Sequence, residues 1–521
     1  MNIPIQKPLV DVFRWRVATT PDSIVHKFHE RETTYKQFDV FANKVAQGLI
    51  EEGCEPNSRV AFLAKNSDLY FEFLYGTLKS NTVAVGINWR LAAPEVAYIL
   101  NDSKSQMIFV GPEFYGLINQ IKDEIPHIKK IISMEGAHDE WQDYSSWRDL
   151  QSDIDPLIPV SKEDDVIQLY TSGTTGHPKG VQLSNINFTA SAEMSQETYY
   201  QYFDEGTPNM VCMPIFHVAG TNMGIGGIVS GCKNIIVADL DPGLVLDLIE
   251  KEKIVNTLFV PAVILFLIQH PKVDQIDFSS LKTVIYGASP IAEATLNKAI
   301  EIMDCDFWQV YGLTETNGTV TILDPKDHHP SRNKLRSCGK PGPGVEIKIV
   351  NKTGDELSVG EVGEILIKSS TNMKGYWNKP KATIEAFKED WFVSGDAGFY
   401  DEEGFLFIHD RVKDMIVSGA ENIYPAEVDN ALMSHPEIID AAVVGIPDDK
   451  WGEVVKGFVV LGQDSRLQEH DIISYVRTQI AGFKCPKSIK FISELPRNPS
   501  GKILRRELRA PYWEGKDRNI S

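Results

Sequence analysis

The amino-acid sequence predicts an α/β protein: a large N-terminal α/β domain with parallel sheets, a small β-rich part from about residue 340, and a small α+β domain at the C-terminal end. Three observations carry this. From about residue 30 to 350, short β-branched runs alternate with longer helix-patterned segments, the order that parallel strands and crossover helices require. Near residue 340 the texture turns to short strands punctuated by glycine, in GKPGPGVEIKIVNKTGDELSVGEVGEILIKS. Beyond about residue 410, helix and strand patterns alternate over short segments. The expected division is 1–410 and 411–521.

Taken in chain order, SRVAFLAKNS reads as strand and turn, DLYFEFLYGTLKSN as an amphipathic helix and TVAVGIN as the next strand. DVIQLY is a strand, followed after a polar loop by GVQLS and a helical segment. LKTVIYGAS is a strand ending at Gly287-Ala288, with Ser289 expected to cap a helix that begins at Pro290 and runs to Met303. GFLFIHDRVKDMIVSGAENIYP is a strand leading into a junction. The C-terminal unit then reads as helix (AEVDNALMSHP), two strands (IIDAAVVGI and EVVKGFVVL), helix (EHDIISYVRTQI) and strand (SIKFIS).

The 521 residues carry a formal net charge of −20, which argues against a nucleic-acid or anionic-membrane surface. Cys54, Cys212, Cys232, Cys305, Cys338 and Cys485 are scattered with no CxxC pair, so neither a zinc site nor a disulfide framework is expected. The N-terminal stretch has no apolar core with a small-residue cleavage site, and no run of about 18 apolar residues occurs. The expectation is a cytoplasmic protein.

The stretch YTSGTTGHPKG, residues 170–180, raises the functional question. It fails the Walker A pattern, since Pro178 stands where glycine is needed and Gly180 follows Lys179. Its physical logic is nonetheless close: glycines admit phosphate oxygens to the backbone, and Thr171, Ser172, Thr174 and Thr175 add hydroxyl donors. Alone, such a loop is an ordinary polar turn.

Further motifs follow in order: PIFHVAG (214–220), YGAS (286–289), VYGLTET (310–316), WFVSGD (391–396), DRVKDMIVSGAENIYPAEV (410–428) and RNPSGKILRREL (497–508). Together with the loop they resemble, in sequence and order, the adenylate-forming superfamily, and most closely its acyl-CoA synthetases, over nearly the whole chain. The resemblance implies a two-step reaction. A carboxylate attacks the α-phosphorus of ATP to give acyl-adenylate and pyrophosphate, and the thiol of coenzyme A then displaces AMP.

The resemblance also implies roles. Thr171, Ser172, Gly173, Thr174, Thr175, Gly176 and Lys179 would hold the β- and γ-phosphates, and Glu315 would hold Mg²⁺. Tyr311 would stack on adenine, with Gly287 and Ala288 letting the base approach and Gly312 and Thr314 beside it. Asp396 would accept the ribose hydroxyls and Arg411 would sit near the ribose and phosphate. Lys502 would bridge the attacking carboxylate and the α-phosphate, making it, with Glu315 and Thr171, the catalytic set. Lys413 takes the family's hinge position, about which a mobile C-terminal domain turns between the two steps. Gly419 would face the pantetheine tunnel. His217, Val218, Thr221, Gly287, Gly312 and Leu313 would border the acyl pocket.

FHVAGTNMGIGGIVSG, IYGAS and LTETNGTV, expected to build that pocket, carry no Arg, Lys or Asp, and Glu315 is their only acid. An uncharged, largely apolar acid fits best, a medium- or long-chain fatty acid ahead of an aryl or alicyclic one. Gly220, Gly224, Gly226 and Gly227 either leave room for an elongated chain or serve close helix packing. The expected partners are the acid, ATP and coenzyme A, without nucleic acid and with a homodimer left open. The alternative acceptor is the phosphopantetheine of a carrier protein.

Overall fold

The computed structural model describes residues 3–171, 178–411, 414–418, 421–448, 451–462, 465–497 and 503–514. Its organisation follows from two largely parallel sheets. One has nine strands, with Ile24–Phe28, Lys233–Ile236, Pro208–Val211, Asn256–Phe259, Thr283–Gly287 and Asp306–Tyr311 running parallel in that spatial order. Short antiparallel strands close both edges. The other has eight strands, with Arg59–Leu63 flanked by Val83–Gly86 and Met107–Val110. Asp165–Thr171 lies parallel to Val83–Gly86, and Lys179–Ser184 pairs back against it so that Thr171 faces Lys179.

A five-stranded antiparallel sheet occupies residues 345–411, built from Val345–Val350, Gly363–Ser369, Phe387–Lys388, Trp391–Tyr400 and Leu406–Arg411. A fourth sheet begins at Ile416–Ser418, and its long hairpin Ile438–Asp448 with Gly452–Leu461 is backed by helices Pro425–Met433 and Glu469–Gln479. The expected fold class is the observed one.

Two local expectations need correction, and one left open is decided. The helix Asp68–Lys79 is not amphipathic: all its residues are buried, between helix Tyr35–Glu51 and strands of both large sheets. Its charged residues survive there because each is paired. Glu72 meets Arg148 and the Tyr144 hydroxyl, both at 2.8 Å, Asp68 meets Arg31, and Lys79 bridges Asp39 and Asp155 at 2.8 and 2.6 Å. The helix expected from Pro290 begins instead at Glu293, with Ala292 and not Ser289 at its N-cap. Ala288 has φ of 69°, which turns the chain aside, and residues 288–292 line the central cavity before the helix begins.

The glycines of helix Val218–Ser230 do not leave room. A Cβ on Gly224 would lie 2.1 Å from the Phe71 ring, and on Gly226 2.0 Å from the Tyr200 hydroxyl. Gly220 and Gly227 are as tightly met by Pro214 and Asn234. Close packing is their function, which removes the argument from these residues for an elongated substrate.

All six cysteines are free. Among the described residues, no helix is long and apolar enough to cross a membrane.

Two histidines are sealed in the core. His26 lies between the rings of Phe38 and Phe71 with neither ring nitrogen hydrogen-bonded among the described residues, and burial pushes it down to about 3. His328, against Tyr286, is pushed by burial to about 4. Both are neutral in the folded protein, whereas the unfolded chain takes up protons below pH 6.5. Stability is therefore present above that pH and lost as pH falls toward the folded values. Between pH 7 and 5 each histidine should cost about 2 kcal/mol. Urea unfolding at the two pH values checks this, and His26→Phe should remove its own share of that pH dependence, about 2 kcal/mol.

Candidate active site

The site forms where strands of both large sheets end. Thr171, Gly287 and Tyr311 are the last residues of Asp165–Thr171, Thr283–Gly287 and Asp306–Tyr311, each at the carboxyl end of a parallel strand, where α/β sheets bind ligands. A single-turn 3₁₀ helix, Thr314–Thr316, follows the last of these and carries Glu315. The turn closes tightly: the Gly318 N–H donates to the Leu313 carbonyl at 2.9 Å, and a Cβ on Gly312 would lie 1.5 Å from the Gly318 carbonyl oxygen.

Glu315 Oε1 accepts from the Tyr376 hydroxyl at 2.9 Å and lies 3.4 Å from Thr171 Oγ1. The Glu315 backbone carbonyl accepts the Met373 N–H at 2.7 Å. Lys179 Nζ stands 4.5 Å from the centroid of the Tyr376 ring, so the lysine, the tyrosine, the glutamate and Thr171 form one cluster. A second contact lies nearby: the Tyr311 hydroxyl donates to Asp396 Oδ2 at 2.7 Å. Asp396 is buried in strand Trp391–Tyr400, directly opposite Arg411 in the antiparallel register. The contact ties the nine-stranded sheet to the five-stranded one.

A cavity of about 2320 Å³ runs between these groups. Thr171, Lys179, Gly287, Ala288, Tyr311, Gly312, Leu313, Thr314, Glu315 and Asp396 all line it, as do His217 and Val218. Its side beside helices Asn185–Glu197, Val218–Ser230 and Pro261–Gln269 is walled by Phe188, Tyr199, Tyr200, Phe216, Met223, Val229, Val263 and Phe266, with no lysine, arginine or carboxylate among the lining residues of those helices. Asp414, Asp429, Arg505 and Arg509, from beyond residue 411, also line the cavity.

Thr221 takes no part in the lining. Its hydroxyl, fully buried, donates to the Ile215 carbonyl at 2.5 Å and lies 3.1 Å from the Tyr70 hydroxyl, so it is spent on the core. Gly287 borders the cavity, but a Cβ there would sit 2.1 Å from the Val310 carbonyl oxygen, so strand packing alone demands glycine. His217 caps helix Val218–Ser230, its Nδ1 accepting from the Ala219 N–H at 3.4 Å. Removal from water pushes it down to about 4, so it is a neutral imidazole at pH 7. Ser172, Gly173, Thr174, Thr175, Gly176, Lys413, Gly419 and Lys502 lie outside the described residues, and of Arg411 only the backbone is described. Tyr376 was not legible as a site residue: it sits in a two-residue strand, Gly375–Tyr376, with no pattern of its own.

Among the described residues, no group of three or more His, Cys, Asp or Glu side chains converges on a metal-sized gap. A lone glutamate of this kind fits Mg²⁺ that arrives on phosphate oxygens and keeps its waters, not a cation caged by protein.

With this geometry in view, the comparisons with known proteins are specific. Residues 13–377 match the AMP-binding enzyme family and residues 427–502 the AMP-binding enzyme C-terminal domain. A fatty acid–acyl-carrier-protein ligase of Streptomyces coeruleorubidus is 38% identical, over 100% of this chain and 99% of its own. A long-chain-fatty-acid–CoA ligase of Mycobacterium tuberculosis is 35% identical, over 96% and 98%. The crystal structure of the anthranilate CoA ligase AuaEII with anthranoyl-AMP superposes with a TM-score of 0.90 at 26% identity, covering 98% of this chain and 99% of that one. The chain belongs to the AMP-binding enzyme family, the adenylate-forming superfamily of the acyl-CoA ligases. It is an acid–thiol ligase by family.

The tight 312–318 turn yields a direct test. Gly312→Ala forces a Cβ against the Gly318 carbonyl and should destabilise the protein by about 3 kcal/mol, the upper range for overpacking. Thermal and urea unfolding measure that loss, and ligase activity should fall with it because the turn carries Glu315.

Proposed function

We propose that this protein is an ATP-dependent ligase that joins an uncharged, largely apolar carboxylic acid to the thiol of coenzyme A through an acyl-adenylate. The observation that carries this is the pairing of two chemistries in one cavity. The polar Thr171–Glu315–Tyr376 and Tyr311–Asp396 contacts border one part of it, and an uncharged, aromatic and aliphatic wall borders another. The wall would accept an aliphatic chain or an aryl ring; the fatty-acid relatives favour the chain.

In the first step a carboxylate oxygen attacks the α-phosphorus and pyrophosphate leaves. Both reactants are anions, so the protein must neutralise charge and fix geometry. Residues 171–176 and Lys179 would hold the β- and γ-phosphates. Glu315, oriented by the Tyr376 hydroxyl, would hold Mg²⁺, which when bound neutralises phosphate charge. Tyr311, its hydroxyl tied to Asp396, offers its ring to adenine beside Ala288, Gly312 and Thr314. Asp396 would take the ribose hydroxyls with Arg411 near the ribose and phosphate. His217, Val218 and Leu313 would border the acyl group. Lys502 would bridge the carboxylate and the α-phosphate.

In the second step the thiol sulfur attacks the acyl carbonyl carbon and AMP leaves. We place the boundary between the two moving units at about residue 410, with Lys413 as the hinge and Gly419 facing the thiol tunnel. Strand Leu406–Arg411 pairs with the five-stranded sheet, and the C-terminal sheet opens only at Ile416, which supports that division. The six free cysteines fit a reducing compartment, and we assign the reaction to the cytoplasm. A second reading, in which the thiol belongs to a carrier protein's phosphopantetheine, is favoured by the Streptomyces relative.

Lys502→Ala should slow pyrophosphate release by about 10²–10³ while leaving thioester formation from preformed acyl-adenylate within about twofold. An equal loss in both half-reactions would show the role to be misassigned. The acceptor is settled by measuring AMP release with fatty acids of increasing length and with aryl acids, each with coenzyme A or with a phosphopantetheinylated carrier protein. Sustained turnover only with coenzyme A supports the first reading, and turnover only with the carrier supports the second.

A further inference from the structure

A buried carboxylate outside the site described above, Asp102, joins the chain at Tyr170, at Pro178 and at Trp377–Lys379. It lies near the end of helix Ala93–Ser103, with 8% of its side chain exposed. Asp102 Oδ2 accepts from the Tyr170 hydroxyl at 2.9 Å, and Oδ1 accepts from Lys379 Nζ at 2.6 Å. The Asp102 backbone carbonyl accepts from Trp377 Nε1 at 3.1 Å. The Tyr98 hydroxyl, one turn earlier on the same helix, shares its hydrogen between Asp102 Oδ1 at 3.4 Å and the Pro178 carbonyl at 3.3 Å.

The placement of these partners gives the cluster its meaning. Tyr170 stands one residue before Thr171, where the chain enters the loop, and Pro178 is where it leaves. Trp377 and Lys379 follow directly on Tyr376, whose hydroxyl orients Glu315, and the Trp377 N–H donates to the Gly180 carbonyl at 2.8 Å. One carboxylate thus contacts Tyr170 and the segment that follows Tyr376 directly, and reaches Pro178 through the Tyr98 hydroxyl. The ion pair with Lys379 and the hydroxyl of Tyr170 satisfy its buried charge, so removing that charge would leave Lys379 without its counter-ion and one of the two donors without its acceptor.

We propose that Asp102 is a positioning residue for the phosphate-binding loop: it sets the spacing between the loop's two ends and the Tyr376–Glu315 pair, and so controls affinity for the triphosphate of ATP. It touches no substrate. The proposal rests on the reading of residues 171–176 as the loop that holds the β- and γ-phosphates.

The test compares Asp102→Asn, Tyr170→Phe and Lys379→Met with Thr174→Ala in the loop itself. Apparent KM is measured for MgATP and for a fatty acid, together with thiolysis of preformed acyl-adenylate. For Asp102→Asn the KM for MgATP should rise about tenfold, the scale of one lost hydrogen bond to a charged group. The KM for the acid and the thiolysis rate should stay within about twofold, a split that general loosening of the fold would not produce. Tyr170→Phe and Lys379→Met should move the same way by about threefold, and they carry the test if Asp102→Asn does not fold. If Thr174→Ala raises the KM for MgATP while the Tyr170, Lys379 and Asp102 variants do not, the role of Asp102 is overturned and the loop reading stands. If Thr174→Ala also leaves it unchanged, the loop reading fails and the role of Asp102 falls with it.

Discussion

The constraint on which the rest depends is the meeting of the two large sheets at Glu315. Thr171 and Tyr376 belong to the eight-stranded sheet, whereas Glu315 is delivered by a turn after the last parallel strand of the nine-stranded one. Their contacts at 3.4 and 2.9 Å exist only when the sheets are packed in one register. The carboxylate is held by neutral hydroxyls, and among the described residues no ion pair to it is formed. Its charge therefore remains for whatever enters the cavity, which is the property a metal- and phosphate-binding acid needs.

The interior between the sheets is built to hold that register. The fully buried helix Asp68–Lys79 fills the gap, with its ionised residues matched to Arg31, Arg148, Asp39 and Asp155. Losing Arg31 or Arg148 would strand a carboxylate in the core, so the pairs specify one arrangement of the surrounding helices as well as tolerating burial. The glycines of helix Val218–Ser230 act in the same direction. They let Phe71, Tyr200 and Asn234 press against the helix backbone, which makes that wall of the cavity dense and leaves its shape to the aromatic side chains.

Much of this was legible in the sequence, because strand–helix alternation and turn chemistry are local signals. The strands at residues 59–63, 83–86, 165–171 and 283–287 stand where β-branched runs predicted them. The resemblance to the adenylate-forming superfamily also implied one site for Thr171, Glu315, Tyr311 and Asp396, and all four line one cavity. What escaped depends on partners distant in the chain. Asp68, Glu72 and Lys79 read as an exposed face because their counter-ions lie elsewhere in sequence. Thr221 read as a pocket residue because nothing local reveals the Ile215 carbonyl and Tyr70 hydroxyl that occupy it. Tyr376 and Asp102 carried no signal, since each matters only through what the tertiary fold sets beside it.

The chemistry turns on attack of the carboxylate at the α-phosphorus of ATP. The most direct measurement uses a fatty acid labelled with ¹⁸O in both carboxylate oxygens, incubated with MgATP and the thiol acceptor, with products resolved by ³¹P NMR and mass spectrometry. The account predicts AMP bearing one labelled oxygen, together with unlabelled pyrophosphate. Labelled orthophosphate accompanied by ADP would mean attack at the γ-phosphorus, and would contradict it.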